Sequence, residues 1–163
     1  PHADGDGYSL VLINSASLPD HNDPNSWRCS TQINGSPGVA DSIGPFTGNT
    51  GDDLNGNGIL DIIEHLLTPV NGRFSTSSIV EVDDNGVITQ HLAITFTRKI
   101  GVDDLDHVVE TATSFSNWES GTDKVVIHSS DHNANGSKTE TWRAVDPISI
   151  TAIRFLRLKV TKK

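Results

Sequence analysis

The stretch DLNGNGILDIIE, residues 53–64, combines closely spaced oxygen-bearing side chains with a glycine in its middle. The side chains that can supply oxygen ligands are Asp53, Asn55, Asn57, Asp61 and Glu64. Gly58 permits the sharp turn that aims such oxygens at one point. Ca2+ takes about six to eight oxygen ligands at roughly 2.3–2.6 Å, and this order of residues is the one that a calcium loop needs.

We predict that this loop binds Ca2+. In such a loop Ile59, which follows the turn, supplies its backbone carbonyl, and Asp61 binds directly or through water. Glu64 closes the site with both oxygens of its carboxylate. Only three carboxylates contribute, so the predicted affinity is weak, in the range of extracellular calcium modules. The competing interpretation is an Asn-Gly-rich surface turn before a short helix.

A short helix is predicted after the turn, because apolar residues recur at helical spacing at Ile59, Ile62, Ile63, Leu66 and Leu67. Thr68-Pro69 ends it. Residues 44–51 have turn chemistry, so no helix is predicted before the loop and the unit is half of an EF-hand. This unit resembles the solitary calcium loops of dockerin and thrombospondin type 3 repeats. The resemblance implies an extracellular, structural role.

Composition narrows the class of protein. A chain of 163 residues forms one domain or two small ones. Its 21 acidic and 12 basic residues give a net charge of −9, which disfavours nucleic acid and anionic lipid as partners. The apolar runs are too short to cross a bilayer, so we expect no membrane insertion. The chain begins at Pro1 and contains no methionine, and we expect a mature or excised fragment located outside the cell or at its surface.

Cys29 is the one cysteine of the sequence, which excludes an internal disulfide. Two interpretations remain open for it, a buried small apolar residue or half of an intermolecular bridge. A bound Ca2+ would take over the stapling role that disulfides have in other secreted modules.

A strand near the N-terminus is predicted to be an interaction strand, since both of its faces are apolar. Its apolar residues are Tyr8, Leu10, Val11, Leu12 and Ile13. A strand of this kind is normally covered on both faces. Residues 18–28 and 34–38 are rich in Gly, Pro and Asn and are predicted to be loops. The strand therefore either docks on the C-terminal sheet or pairs with another chain by strand addition.

Three segments of the N-terminal part occur in a recognisable order: DGDGYSLVLI (4–13), NDPNSWR (22–28) and NGSPG (34–38). This order resembles the closing segment of bacterial lamin-tail-type domains, which are immunoglobulin-like β-sandwiches of large secreted proteins. The resemblance covers only the last part of such a domain. The earlier strands are absent, which leaves the apolar strand without its usual neighbours.

Strand patterning dominates the sequence from Ile79 onward. The turn Asp83–Gly86 separates two runs of alternating apolar residues and predicts a hairpin. Further strands are predicted at 105–112, 124–128, 139–145 and 153–160, whereas the serine-rich residues 75–78 are predicted to be a solvated connector. We predict a mainly β chain, an antiparallel immunoglobulin-like or jelly-roll-like β-sandwich with one short helix following a calcium loop.

The predicted organisation has four parts: an N-terminal strand and loops (1–40), a linker (41–51), the calcium loop and helix (52–70), and the β-sandwich (71–163). The segments ILDIIEHLL (59–67), LAITFTRKI (92–100), VVETATSFSNW (108–118) and RFLRLKV (154–160) are similar to a C-terminal module of secreted proteins from verrucomicrobia-like and planctomycete-like bacteria. That resemblance implies an extracellular and non-catalytic module.

No arrangement of side chains in the sequence points to catalysis. The carboxylates of Asp103, Asp104 and Asp106 fall in a turn and are predicted to be a solvated edge. His128 and His132 flank residues 129–131 near a hairpin turn, where a surface loop is the preferred interpretation over a metal site.

Three functional hypotheses follow. The preferred one is a non-catalytic, calcium-stabilised extracellular structural or adhesive module. Its partners would be other copies of itself, in filaments built by exchange of the N-terminal strand, or other cell-surface proteins. The alternative is a polysaccharide-binding module of a secreted hydrolase, which requires exposed aromatic rings. Its candidates are Trp27, Trp118 and Trp142, which fit core packing better. An enzyme is the third and least supported hypothesis.

Overall fold

The strands and helices of the chain are seen in a computed structural model that describes residues 6–148 and 153–163. Within these residues one α-helix, α1, and eight strands, β1 to β8, follow one another as β1 Tyr8–Leu12, β2 Trp27–Ile33, α1 Asp61–Leu66, β3 Ser75–Asp84, β4 Val87–Lys99, β5 Leu105–Ala112, β6 Val125–Asn133, β7 Ser137–Ala144 and β8 Phe155–Lys162. Short 3-10 helices occur at Ser15–Ser17 and Pro24–Ser26. No helix of the described residues is long and apolar enough to cross a membrane.

The strands form antiparallel sheets that pack face to face. One sheet has the order β3-β4-β7-β6, a second pairs β5 with β8, and a third pairs β1 with β2. Ile94 and Phe96 of β4 and Val109 of β5 are buried in the core between the first two sheets. The ring of His107 in β5 meets the Phe96 ring edge-on, with 6.0 Å between the ring centres. The prediction of a mainly β, antiparallel sandwich with one short α-helix is confirmed.

The β3–β4 hairpin closes on Asn85 and Gly86, whose φ angles of 54° and 87° are those of a type I′ turn. Pairing runs without interruption from Asp84 opposite Val87 to Ser75 opposite Phe96. Residues 75–78 therefore belong to β3, and the prediction that they form a solvated connector was wrong. An edge strand that faces solvent tolerates small polar side chains, so its sequence lacks the usual apolar alternation.

The N-terminal strand pairs within its own chain. Tyr8 of β1 lies opposite Ile33 of β2, and Leu12 opposite Trp27. The prediction of loops over the whole of residues 18–28 was therefore wrong at its end. The strand was expected to dock on the C-terminal sheet or to pair with another chain, and its backbone pairs instead with β2, which follows it in the same chain. Tyr8 is buried and donates its hydroxyl to the backbone carbonyl of Asn133, whereas Leu10 is 59% exposed. The expectation that both faces of β1 are covered was also wrong.

The predicted linker, residues 41–51, packs against the sandwich. Ile43 donates its N–H to the carbonyl of Gly101, and Phe46 donates its N–H to the carboxylate of Asp104. The Phe46 ring is buried in the core beside Leu66 of α1. Residues 41–51, which lead into the loop, are thus held against the sandwich by backbone hydrogen bonds and by the buried Phe46 ring.

Candidate metal centre

The loop at residues 53–64 curls around the carboxylate of Asp53. One Asp53 oxygen, Oδ1, accepts the N–H of Asn57 at 3.1 Å, and Oδ2 accepts the N–H of Gly58 at 2.8 Å. Gly58 has a φ of +83°, a left-handed conformation that glycine adopts without steric cost. The backbone bends at the residue that the sequence singled out for this turn.

The two asparagines extend the same turn. Asn55 Oδ1 accepts the N–H of Asn57 at 3.0 Å, and Asn57 Oδ1 accepts the N–H of Ile59 at 2.8 Å. These side-chain to backbone bonds to the residue two positions on are Asx turns, which asparagine forms readily. Each one fixes where the side-chain amide lies.

Glu64 brings the loop and the helix together. Its Oε2 accepts from Asn55 Nδ2 at 2.9 Å, and its Oε1 accepts from Asn57 Nδ2 at 2.8 Å. Asp61 turns Oδ1 toward the N–H of Leu54, 3.2 Å away, and lines the same surface cavity as Asn55 and Glu64. The structure thus brings Asn55 and Asn57 onto Glu64, whereas Asp53 and Asp61 bind backbone N–H groups of the loop and Ile59 is tied to Asn57 by its N–H.

The chemistry of this donor set fits Ca2+. Hard oxygen donors come from three carboxylates and two amides. Each asparagine turns its NH2 toward Glu64 and holds its oxygen in an Asx turn, so both amides would have to turn and give up those bonds to offer their oxygens to an ion. Among residues 6–148 and 153–163 no group of three or more His, Cys, Asp or Glu side chains is placed to hold an ion. An ion at this loop would therefore depend on the oxygens of Asn55 and Asn57 as well as on the carboxylates.

Helix α1 ties Glu64 to the sandwich. Ile62 and Leu66 are buried on its inner face. Lys99 of β4 donates Nζ to the carbonyls of Glu64 and His65, each at 2.9 Å, and so satisfies carbonyls in the last turn. Burial lowers the pKa of Lys99, and the charge of Glu64 opposes that shift. Lys99 belongs to this site and was not anticipated, since no local sequence pattern joins residue 99 to residue 64.

The carboxylates expected at a solvated edge have structural partners. Asp103 accepts from the guanidinium of Arg28, Asp104 accepts from the backbone of Phe46, and Asp106 lies 3.5 Å from Lys163 Nζ. Each contact joins distant segments of the chain.

The two histidines lie in strand β6, so the prediction of a surface loop there was wrong. His132 Nδ1 lies 3.4 Å from the Cys29 sulfur. Cys29 is half-buried, and its burial raises the pKa of its thiol. The thiol is therefore kept protonated, which is the less nucleophilic form.

The three tryptophans are half-buried and lie on different elements. Trp27 begins β2, Trp142 is in β7 and packs on the core, and Trp118 stacks under the guanidinium of Arg157 at 4.2 Å. The most exposed aromatic ring is instead Phe115, which is 77% exposed and packs on Phe155 with 4.3 Å between ring centres. It was not among the predicted candidates, because exposure of a single ring has no local sequence signature.

Comparison with family models, with curated proteins and with solved structures finds no match to this chain.

Proposed function

We propose that this chain is a non-catalytic structural or adhesive module that works outside the cell or at its surface and is stabilised by Ca2+. The observation that supports this proposal is the gathering of Asn55 and Asn57 on Glu64, in a loop already wrapped around Asp53. The spacing of ligands and the curl of the backbone are those that Ca2+ requires.

Binding at this loop would act on the whole fold. Glu64 lies on α1, whose apolar face is buried in the core and whose last carbonyls accept from Lys99 of β4. An ion that binds only the folded loop stabilises the folded chain by mass action. The ion would therefore join the loop, the helix and the sandwich.

The weak calcium affinity expected of this site indicates whether the protein works inside or outside the cell. Sites of this kind in extracellular modules have dissociation constants of roughly 10⁻⁴–10⁻³ M. A site that weak fills where calcium is abundant, as it is outside cells. An extracellular or cell-surface location follows from the proposed site.

The proposed partners are other copies of this chain or other cell-surface proteins. In the version in which Tyr8–Ile13 is donated to another subunit, β1 first has to leave β2 and the Tyr8 hydroxyl has to leave the carbonyl of Asn133. That cost favours a contact between copies that leaves the β1–β2 hairpin intact.

Thermal unfolding with calcium and with chelator tests the proposal. With about 10 mM Ca2+ and a dissociation constant in the range above, the free energy of unfolding rises by about 1.4–2.7 kcal/mol. Glu64→Gln abolishes this gain, whereas the control Glu119→Gln, which changes an exposed glutamate far from the loop in sequence, keeps it. Identical melting curves of the unmodified chain in calcium and in chelator would refute the proposal.

A polysaccharide-binding module is the second candidate, and the exposed ring of Phe115, which packs on the half-buried Phe155, favours it. Exposed aromatic faces stack on sugar rings. Retention on insoluble polysaccharides that is lost in Phe115→Ala would support this candidate, and equal retention of both proteins would exclude Phe115 from it.

A further inference from the structure

Strand β3 is the outer strand of the four-stranded sheet and has one side free of any strand within residues 6–148 and 153–163. It is ten residues long and pairs with β4 in perfect register. Most of its side chains face solvent, and Ile79 is 58% exposed. An edge of this length and regularity is a template for another strand.

The opposite edge of the same sheet is protected, and β3 is not. Strand β6 has a register shift between Ile127 and Ser129, and such irregularities disrupt pairing at an edge. Strand β3 has no shift, no proline and no lysine, and its charged side chains, Glu81, Asp83 and Asp84, all lie at one end. The contrast leaves the uncharged part of the β3 edge open to another strand.

The hairpin turn fixes which backbone groups of β3 point outward. In a two-residue type I′ hairpin the residues that flank the turn, Asp84 and Val87, form a hydrogen-bonded pair. Hydrogen-bonded pairs recur at every second residue, so the even-numbered residues of β3 bond to β4. The outward N–H and C=O groups are those of Ser75, Ser77, Ile79, Glu81 and Asp83.

The distribution of charge along β3 favours a second copy of the same strand as its partner. Arg73 precedes β3 and is exposed, while Glu81, Asp83 and Asp84 lie at its other end. A second copy of the strand laid antiparallel places the basic end of each copy beside the acidic end of the other. With the two-fold axis at Ser78, Ser77 lies opposite Ile79, and Arg73, which is joined to β3 by a bend at Phe74, lies toward the acidic end of the other copy.

We propose that β3 pairs antiparallel with β3 of a second copy of this chain and joins the two four-stranded sheets into one. The contact is symmetric, because the same residues serve on both sides. It leaves the β1–β2 hairpin and the loop at 53–64 untouched, and it does not depend on calcium. The pairing gives the contact between copies that the proposed function includes, and it stands or falls separately from the proposed calcium site.

Sedimentation velocity over a concentration series tests the pairing. The unmodified chain is expected to shift from 17.5 kDa toward twice that mass as its concentration rises to about a few hundred micromolar. Ser77→Pro removes an outward N–H, a change that an edge strand accommodates, and is expected to stay monomeric with an unchanged melting curve. A monomer at every concentration, or a dimer that persists in Ser77→Pro, would overturn the proposal.

Charge reversal is a second test that does not involve proline. Arg73→Asp and Asp83→Arg are each expected to weaken the dimer roughly tenfold, and the double variant restores it. Asp123→Arg is the matched control for Asp83→Arg, since it makes the same change of charge at an exposed position outside β3. Equal weakening by the control, or no recovery in the double variant, would count against the assigned register.

Discussion

Arg28 of β2 and Asp103, which are 75 residues apart in the chain, form a two-pronged ion pair. Nε lies 2.9 Å from Oδ1, and Nη2 lies 3.1 Å from Oδ2. The same guanidinium reaches Asp41 Oδ1 at 2.7 Å. The side chains of Arg28 and Asp41 are 12% and 4% exposed, so this cluster joins the N-terminal hairpin, the segment that follows it and the sandwich in a place with little water.

Arg28→Met is expected to destabilise the protein by about 3 kcal/mol, because it leaves two poorly solvated carboxylates without their cation. Urea unfolding at pH 7 measures the change.

The matched control is Lys124→Met, which removes a cation whose partner, Glu119, is 60% exposed. Its expected effect is within about 0.5 kcal/mol. Similar losses of stability in both variants would contradict the conclusion that the Arg28 cluster holds the N-terminal hairpin and the segment after it to the sandwich.

The turn between β6 and β7 packs directly on β2 at Gly136. Its φ is +73°, and a Cβ added there would lie 2.8 Å from the backbone carbonyl oxygen of Thr31. Gly86 also has a positive φ, of +87°, but a Cβ there would meet nothing within 4 Å. A side chain added at either position would be strained by the positive φ, but only at Gly136 would it also clash with a backbone atom.

Gly136→Ala is therefore expected to cost more stability than Gly86→Ala. Strain alone at Gly86 costs about 1 kcal/mol, and the additional clash with a backbone atom at Gly136 raises the loss to roughly 2–4 kcal/mol. Chemical denaturation of the two variants measures the difference. Equal losses would mean that the turn moves away from β2 at little cost.

Glu140 is a buried carboxylate within the sandwich, 2% exposed. Burial acts to raise its pKa, but hydrogen bonds from His107 and Trp142 and the charges of Arg98 and Lys138 outweigh burial and hold the pKa of Glu140 well below its usual value of 4.5. The carboxylate is therefore ionised in the folded protein at neutral pH.

The lowered pKa of Glu140 makes stability depend on pH. Because the folded pKa lies below the unfolded one, the stabilisation is present above pH ~4.5 and is lost as the pH falls from there toward the folded pKa. Glu140→Gln is expected to lower the stability at pH 7 by about 3 kcal/mol and to reduce the slope of stability against pH in the acid range. Urea midpoints measured from pH 7 to pH 3 test this, and an unchanged slope in the variant would contradict it.

Much of the sandwich could be predicted from local patterns. The bounds of β5 agree with the predicted strand 105–112, and the Asn85-Gly86 pair predicts the β3–β4 hairpin because its turn demands two positive φ angles. Strand β2 was missed because its mixed polar and apolar residues lie between loops rich in Gly and Pro. Its pairing with β1 and its contact with Gly136 are tertiary features that no local pattern encodes.

The candidate metal centre was likewise predictable only in part from the sequence. That Asp53, Asn55, Asn57 and Glu64 lie in one tight loop could be predicted from their spacing, whereas their binding of Ca2+ stays a prediction. The attachment of that loop to the core through Phe46 and Lys99 could not, since it requires the helix and β4 to be placed first.

Calorimetric titration of the folded chain with CaCl2 is the direct test of whether the loop at residues 53–64 binds Ca2+. We expect each chain to bind one calcium ion with a dissociation constant of roughly 10⁻⁴–10⁻³ M. This binding is expected to be lost in Glu64→Gln and kept in Glu119→Gln. The absence of any saturable binding by the unmodified chain, or equal binding by Glu64→Gln, would contradict it.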